Sequence, residues 1–271
     1  MSVQTKSIQF RGTNIVYKVQ GYGVPVLLLH GFGEDSGIWD RQLPILESTC
    51  HLIIPDLPGS GSSGLLAGEV GIEDYAECIR EVLREESIQS CSMIGHSMGG
   101  YITLAFVEKY PELLTSWGLF HSTAYADSDD KKNARRKSID FILQHGSGAF
   151  LDTAIPGLFY DQAKNHENIN RLISRGSTGF KPEALVQYYE AMIRRQDRTN
   201  ILREASVPVL WILGQHDQAV PFAQGLQQSY LAPQSEVHIL RETAHMGMLE
   251  QTGLTNEILA NFLHNKLMIN K

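Results

Sequence analysis

Cysteine is scarce in this chain: Cys50, Cys78 and Cys91 are the only three in 271 residues. An odd, sparse set builds no disulfide framework, and its spacing matches no zinc motif. It suits free thiols packed as small apolar side chains in a reducing compartment, the cytoplasm. Long apolar runs are also missing, since nothing approaches the ~18 residues that a membrane span needs. The opening stretch MSVQTKSIQFRG has no apolar core of the kind a secretory signal carries. No asparagine sits in a glycosylation acceptor. Positive charge is in deficit, with 23 Lys and Arg against 30 Asp and Glu and a formal net charge of -7. That balance disfavours nonspecific binding to nucleic acid or anionic membrane and leaves a small-molecule partner open. The 42% hydrophobic and 20% charged content is that of an ordinary globular protein.

What is present is an alternation of strand-like and helix-like segments. Short strands are expected over 7–10 and 15–19, with a turn at 12–14. Continuous apolar runs, typical of strands buried on both faces, cover 26–30 and 52–55, and further strands fit 90–94, 116–120, 209–213 and 236–240. Helical spacing covers 38–46, 72–86, 98–110, 221–230 and 251–266. This order predicts an α/β fold with a mostly parallel central sheet flanked by helices. From 121 to 202 the rhythm stops, and only helix-like segments follow one another, over 129–143, 148–158, 162–174 and 182–195. We therefore expect a core made of 1–120 and 203–271, with 121–202 inserted into it as a helical cap. Monomer and homodimer both fit.

Gly95-His96-Ser97-Met98-Gly99 reads G-x-S-x-G between a strand and a helix. A serine on so sharp a turn has a strained backbone and an exposed hydroxyl, and side chains two positions either side would collide. Hence the glycines. The following helix N-terminus offers free N–H groups to a developing oxyanion. A serine hydroxyl also needs a base. In the order Ser, acid, His, the downstream candidates are Asp217, in LGQHDQAVP after one buried strand, and His245, in RETAHMGMLE after the next. Both loops leave carboxyl ends of strands, the edge where open α/β sheets place their sites. His216 precedes the acid and breaks the order, the loop that begins at His121 after 116–120 offers no nearby carboxylate as an alternative acid, and His96 reads as part of the turn. His30-Gly31-Phe32-Gly33 follows the third strand, so the oxyanion donors are expected to be the backbone N–H groups of Phe32 and Met98.

Jointly, VLLLHGFGEDSGIWD, IIPDLPGSGSS, SMIGHSMGG, VPVLWILGQHDQAVP and ETAHMGML resemble the α/β-hydrolase superfamily over nearly the whole chain outside the cap. More narrowly, the chain is similar to the single-domain bacterial branch of esterases, enol-lactonases, haloperoxidase-like proteins and carbon–carbon bond hydrolases. The resemblance implies an acyl-enzyme on Ser97 with no cofactor and no metal. It also implies that dehalogenase and epoxide chemistry, which use Asp at the elbow, are absent. The expected activity is hydrolysis of a small carboxylic ester or lactone. The alternatives are cleavage of a carbon–carbon bond in a β-diketone-type product, and a slow-turnover ligand-sensing receptor.

Three features fit less directly. Gly59-Ser60-Gly61-Ser62-Ser63-Gly64 has dinucleotide-binding spacing but no helix directly after it, so a mobile loop beside the pocket is expected. The basic run at 131–137 reads as a solvated helix face, with phosphate or membrane contact as the sharper option. Among the apolar residues of the cap, Phe141, Leu158, Tyr188 and Met192 are expected to line the pocket together with Phe32.

Overall fold

The structure, a computed structural model, describes residues 3–269. Strands β1 (Gln4–Phe10) and β2 (Thr13–Gln20) form a hairpin. Its loop is the two residues Arg11 and Gly12, both with positive φ (50° and 78°), a conformation whose twist matches that of the flanking strands. The turn is thus tighter than the 12–14 read from the sequence, because Phe10 pairs directly with Thr13. β3 (Val24–Leu29) follows, then a 3₁₀ turn (Ser36–Trp39), the short helix α1 (Leu43–Leu46) and β4 (Cys50–Pro55). The sequence had suggested one helix over 38–46. Pro44 has no N–H to donate to an earlier turn, so a new helix starts around it instead.

Next come α2 (Ile72–Glu85), β5 (Cys91–His96), α3 (Met98–Lys109) and β6 (Leu114–Phe120). Four helices then follow without a strand: α4 (Asp129–Ala154), α5 (His166–Gly179), α6 (Pro182–Arg194) and α7 (Thr199–Arg203). α4 is two helical pieces joined by a kink at Gly146, where φ is 85°. The chain closes with β7 (Val209–Gly214), α8 (Phe222–Ser229), β8 (Ser235–Leu240), α9 (Gly247–Glu250) and α10 (Thr252–Ile269).

The eight strands form one sheet in the order β1-β2-β4-β3-β5-β6-β7-β8. The hairpin and the β2–β4 pair are antiparallel, and every other pair is parallel. β5 and β7 are buried along their whole length, as apolar runs covered on both faces must be. The loops after β3, β5, β7 and β8 leave parallel strands at their carboxyl ends and so open on one edge of the sheet. All three cysteines are free and buried, and burial pushes the Cys78 and Cys91 thiols up to about 12. Among the described residues, no helix is long and apolar enough to cross a membrane, and no cluster of His, Cys, Asp and Glu could hold a metal ion.

Candidate active site

Ser97 sits between β5 and α3 with φ 52° and ψ −115°, a strained conformation for a residue with a side chain. The flanking glycines allow it. A Cβ on Gly95 would collide with the backbone of Gly99, and one on Gly99 would lie 2.6 Å from Leu29 O. The strand-to-helix reversal brings these backbones into contact, so neither position admits a larger residue.

Asp217 and His245 come from different loops yet meet. His245 Nδ1 lies 2.7 Å from Asp217 Oδ2, and both residues are buried. The other carboxylate oxygen, Oδ1, accepts from Ala219 N at 2.8 Å and Val220 N at 2.9 Å, so the acid is fixed on both sides. His245 is held by its backbone as well, its N–H donating to Leu158 O at 2.9 Å. Glu250 braces the same loop. Its Oε1 accepts from Ala244 N at 3.0 Å and Met246 N at 3.2 Å, while Oε2 accepts from Tyr160 N at 2.8 Å. Burial raises its carboxyl above the usual range despite those three donors.

Ser97 and His245 both line a cavity of about 280 Å³. No hydrogen bond joins Ser97 Oγ to His245, a contact that enzymes commonly tighten only in the substrate complex. The backbone N–H groups of Phe32 and Met98 have no protein acceptor among the described residues. Each follows a parallel strand, β3 or β5, and the two strands are neighbours. Of the pocket residues expected from the sequence, Phe32, Leu158 and Met192 line the cavity. Two others do not. Phe141 is 37% exposed on the outside of α4. Tyr188 is fully buried, and its hydroxyl bonds Ser60 Oγ at 2.6 Å and Pro58 O at 2.8 Å. That contact also ties down the Gly-rich loop. Asp56 adds to it, accepting from Ser62 N at 2.8 Å and Ser36 N at 2.9 Å. This loop therefore serves as an anchored brace and lies outside the cavity lining.

Sequence reasoning missed two buried groups. The first is an ion pair under the site. His96 Nδ1 lies 2.9 Å from Glu34 Oε2, and His96 Nε2 lies 3.0 Å from the backbone oxygen of His245. Glu34 also accepts from Gly31 N at 2.7 Å. Burial opposes charge on both partners, but each outweighs it for the other. Glu34 is held below the usual carboxylate range and His96 above the usual imidazole range. His96 is thus more than a turn residue: as an imidazolium it donates from both nitrogens, linking the Phe32 loop to the His245 loop. The glutamate three residues after Gly31 was the available signal.

The second is His121, whose Nδ1 is 3.6 Å from Asp217 Oδ2. Burial first, then His245 and His96 nearby, push it well below the usual range, so it is neutral. Its ring nitrogens lie 3.1 Å from Gly214 N and 3.2 Å from Gly247 N, and a neutral ring accepts from one of them. The sequence saw no carboxylate near His121 because Asp217 approaches only through the pairing of β6 with β7.

Comparison with known proteins agrees with this architecture. Residues 24–117 match the family described as alpha/beta hydrolase fold. An uncharacterized protein of Mycobacterium bovis is 30% identical over 286 aligned residues, covering 96% of this chain and 82% of its own. Lipase 1 of Psychrobacter immobilis is 26% identical over 262 residues, covering 88% of this chain and 77% of its own. A thermophilic esterase from Thermogutta terrifontis, solved with malate bound, superposes with a TM-score of 0.91 at 27% identity, covering 97% of this chain and 99% of that one. With its mostly parallel sheet, its strained serine after β5, the family match over 24–117 and a relative 30% identical over 96% of this sequence, the chain belongs to the alpha/beta hydrolase fold family.

Proposed function

We propose that this protein is a serine hydrolase that cleaves a small carboxylic ester or lactone through an acyl-enzyme on Ser97. The observation that carries the reading is the 2.7 Å contact between His245 Nδ1 and Asp217 Oδ2, beside a strained serine that opens into the same cavity. Asp217 accepts a hydrogen bond from the Nδ1–H of His245, which keeps the proton on Nδ1 and leaves the Nε2 lone pair free to act as base. Ser97 Oγ attacks the carbonyl carbon while His245 takes the hydroxyl proton. The carbonyl oxygen becomes an oxyanion, and the free N–H groups of Phe32 and Met98 stabilise it. The C–O bond to the alcohol breaks, and that alcohol leaves with the proton from His245. Water, deprotonated by His245, then attacks the acyl-enzyme and releases the acid. The step draws on no metal and no cofactor.

An esterase of similar length and a lipase relative support the reaction class. The helical segment between β6 and β7 is read as a cap, because Leu151, Leu158 and Met192 close the cavity from that side. A fluorophosphonate probe should label Ser97 stoichiometrically, located by peptide mass. Ser97→Ala should remove both labelling and aryl-ester turnover while the circular dichroism spectrum is unchanged. Labelling at another serine, or turnover that survives the substitution, would overturn the assignment.

A further inference from the structure

The basic run at 131–137 is only half solvated. Lys131, Ala134, Arg135 and Ser138 recur at the spacing of one helical face, and all four line the cavity that holds Ser97. Asn133, Arg136 and Lys137 lie on the exposed side of α4. Two cations therefore point into the cavity of a chain whose net charge is -7.

Their partners do not balance them. Arg135 Nε donates to Asp127 Oδ2 at 2.6 Å, and Arg195 Nη1 lies 2.9 Å from Asp127 Oδ1, so one buried carboxylate serves two guanidiniums. Arg195 lies off the lining; its Nε is buried without an acceptor among the described residues, but its terminal nitrogens are otherwise committed. It donates to Met192 O at 3.0 Å and Tyr125 O at 2.9 Å, and lies 4.0 Å from the Tyr101 ring centroid. Those of Arg135 are not: its Nη2 has only a 3.4 Å contact to Asp127, and its Nη1 has no protein acceptor among the described residues. Lys131 Nζ makes one hydrogen bond, to Ala219 O at 2.6 Å, and keeps two donors. The remaining carboxylate on the lining is Glu34, and His96 already matches it. The cavity thus holds a surplus of positive charge with open donors. A partly desolvated surplus of that kind is unfavourable until an anion meets it. A planar fork beside an ammonium suits a carboxylate, through charge-assisted hydrogen bonds.

The Tyr189 ring lies between Arg135 and Phe32, one of the expected oxyanion donors. The Arg135 guanidinium is 5.3 Å from the Tyr189 centroid, and Tyr189 in turn stacks on Phe32 at 4.2 Å. We propose that the substrate carries a free carboxylate on its non-reacting part, and that Lys131 and Arg135 bind it. This rests on the ester-hydrolase reading and narrows it to acidic esters or lactones.

The test compares each acid with its uncharged amide isostere. One pair carries the charge on the acyl side, mono(4-nitrophenyl) glutarate against 4-nitrophenyl glutaramate. The other carries it on the alcohol side, the butyrate ester of 3-hydroxybenzoate against that of 3-hydroxybenzamide. In at least one pair, kcat/KM should favour the acid by about tenfold or more at low salt, the scale of one charge-assisted hydrogen bond. Lys131→Met and Arg135→Met should each bring that ratio toward one, mainly through KM. Lys131→Met is the safer variant, since it leaves the Asp127 cluster intact. Calorimetric binding of glutarate gives a readout independent of turnover. If no ester is cleaved, yet glutarate binds and Lys131→Met weakens it about tenfold, the hydrolase reading fails and the carboxylate site stands. If esters are cleaved but neither pair shows an acid preference, or if both substitutions leave glutarate binding unchanged, the carboxylate site is overturned while aryl-ester turnover can persist.

Discussion

On its sheet side the cavity is bounded by short loops that backbone hydrogen bonds hold in place. Asp217 is fixed by the N–H groups of Ala219 and Val220, and the loop carrying His245 is bracketed by Leu158 O and Glu250. On its helical side the lining comes from side chains that share a helix face, such as Lys131, Ala134 and Arg135, whose backbones are held by their own helix and its Ser128 cap. The first arrangement fixes atoms to within a hydrogen bond, which proton transfer demands. The second fixes a face and its charge, which is enough to select a substrate and can change without disturbing the sheet. Substitutions on the sheet side should therefore lower kcat, and those on the helical side should move KM and discrimination.

The largest effect expected on this division is at the acid. Asp217→Asn keeps the volume but offers His245 Nδ1 an amide in place of a carboxylate. It should cost kcat about 10⁴-fold, as the corresponding change does in a serine protease, because the wrong tautomer is favoured. KM and the melting temperature should move little. Asp56 is the contrasting carboxylate. It holds Ser36 N and Ser62 N, so Asp56→Asn should act on loop stability and lower kcat by less than about tenfold, one lost hydrogen bond at most. If Asp56→Asn abolishes turnover and Asp217→Asn leaves it within a factor of about two, under half a kcal/mol of barrier, the acid is wrongly assigned.

A smaller effect is expected at Glu34, which supports the sheet side without meeting the reacting bond. Glu34→Gln removes the carboxylate that keeps His96 charged and so loosens the link to the His245 backbone. We expect kcat to fall about tenfold to hundredfold, the range of a lost charge-assisted hydrogen bond. Stability gives a second readout with a definite sign. Glu34 is lowered in the fold, so its contribution is present above the ordinary glutamate range, about 4.3, and is lost as pH falls through its folded value. His96 is raised, so its contribution is full below the ordinary histidine value of about 6.5 and is lost as pH rises through its folded value. The melting-temperature gap between native protein and Glu34→Gln should therefore be widest between about pH 4.5 and 6.5 and narrow above it. A gap that is constant or widening up to pH 9 would show that the pair is not charged as described.

The same division explains how much the sequence reveals. The eight strands, the elbow and the two loops holding Asp217 and His245 are legible because steric and hydrophobic rules act locally. Gly95 and Gly99 are required by a collision two residues away, and the buried strands read as apolar runs. Glu34 and His96 are 62 residues apart and become partners only through the pairing of β3 with β5. The helices of the insertion are legible as helices, but which face looks inward depends on packing that periodicity alone does not encode. Lys131 and Arg135 have the same spacing as a solvated charged stripe, and Tyr188 and Tyr189 are adjacent in sequence yet diverge. Tyr189 lines the cavity, while Tyr188 braces the Gly-rich loop.

The smallest expected effect concerns Phe141, placed in the pocket by its apolar character and outside it by the structure. Its ring packs on His145 at 4.5 Å and on Phe150 at 6.4 Å, and Phe150 in turn meets Phe32 at 6.2 Å edge to face. Phe141 can thus reach the site only through two other aromatic rings, and it gives up little apolar area because it is already 37% exposed. Phe141→Ala should leave kcat/KM for an aryl ester within about twofold and cost stability on the order of 1 kcal/mol, well short of the ~3–5 kcal/mol of a buried phenylalanine. Leu158→Ala, on the cavity wall and next to the segment that holds the His245 backbone, is the comparison. It should raise KM several-fold and also lower kcat, because its carbonyl accepts from His245 N and the loop around it would relax. If Phe141→Ala raises KM as much as Leu158→Ala does, the outer face of α4 takes part in binding, and the division between an inward and a solvated face of this helix is wrong.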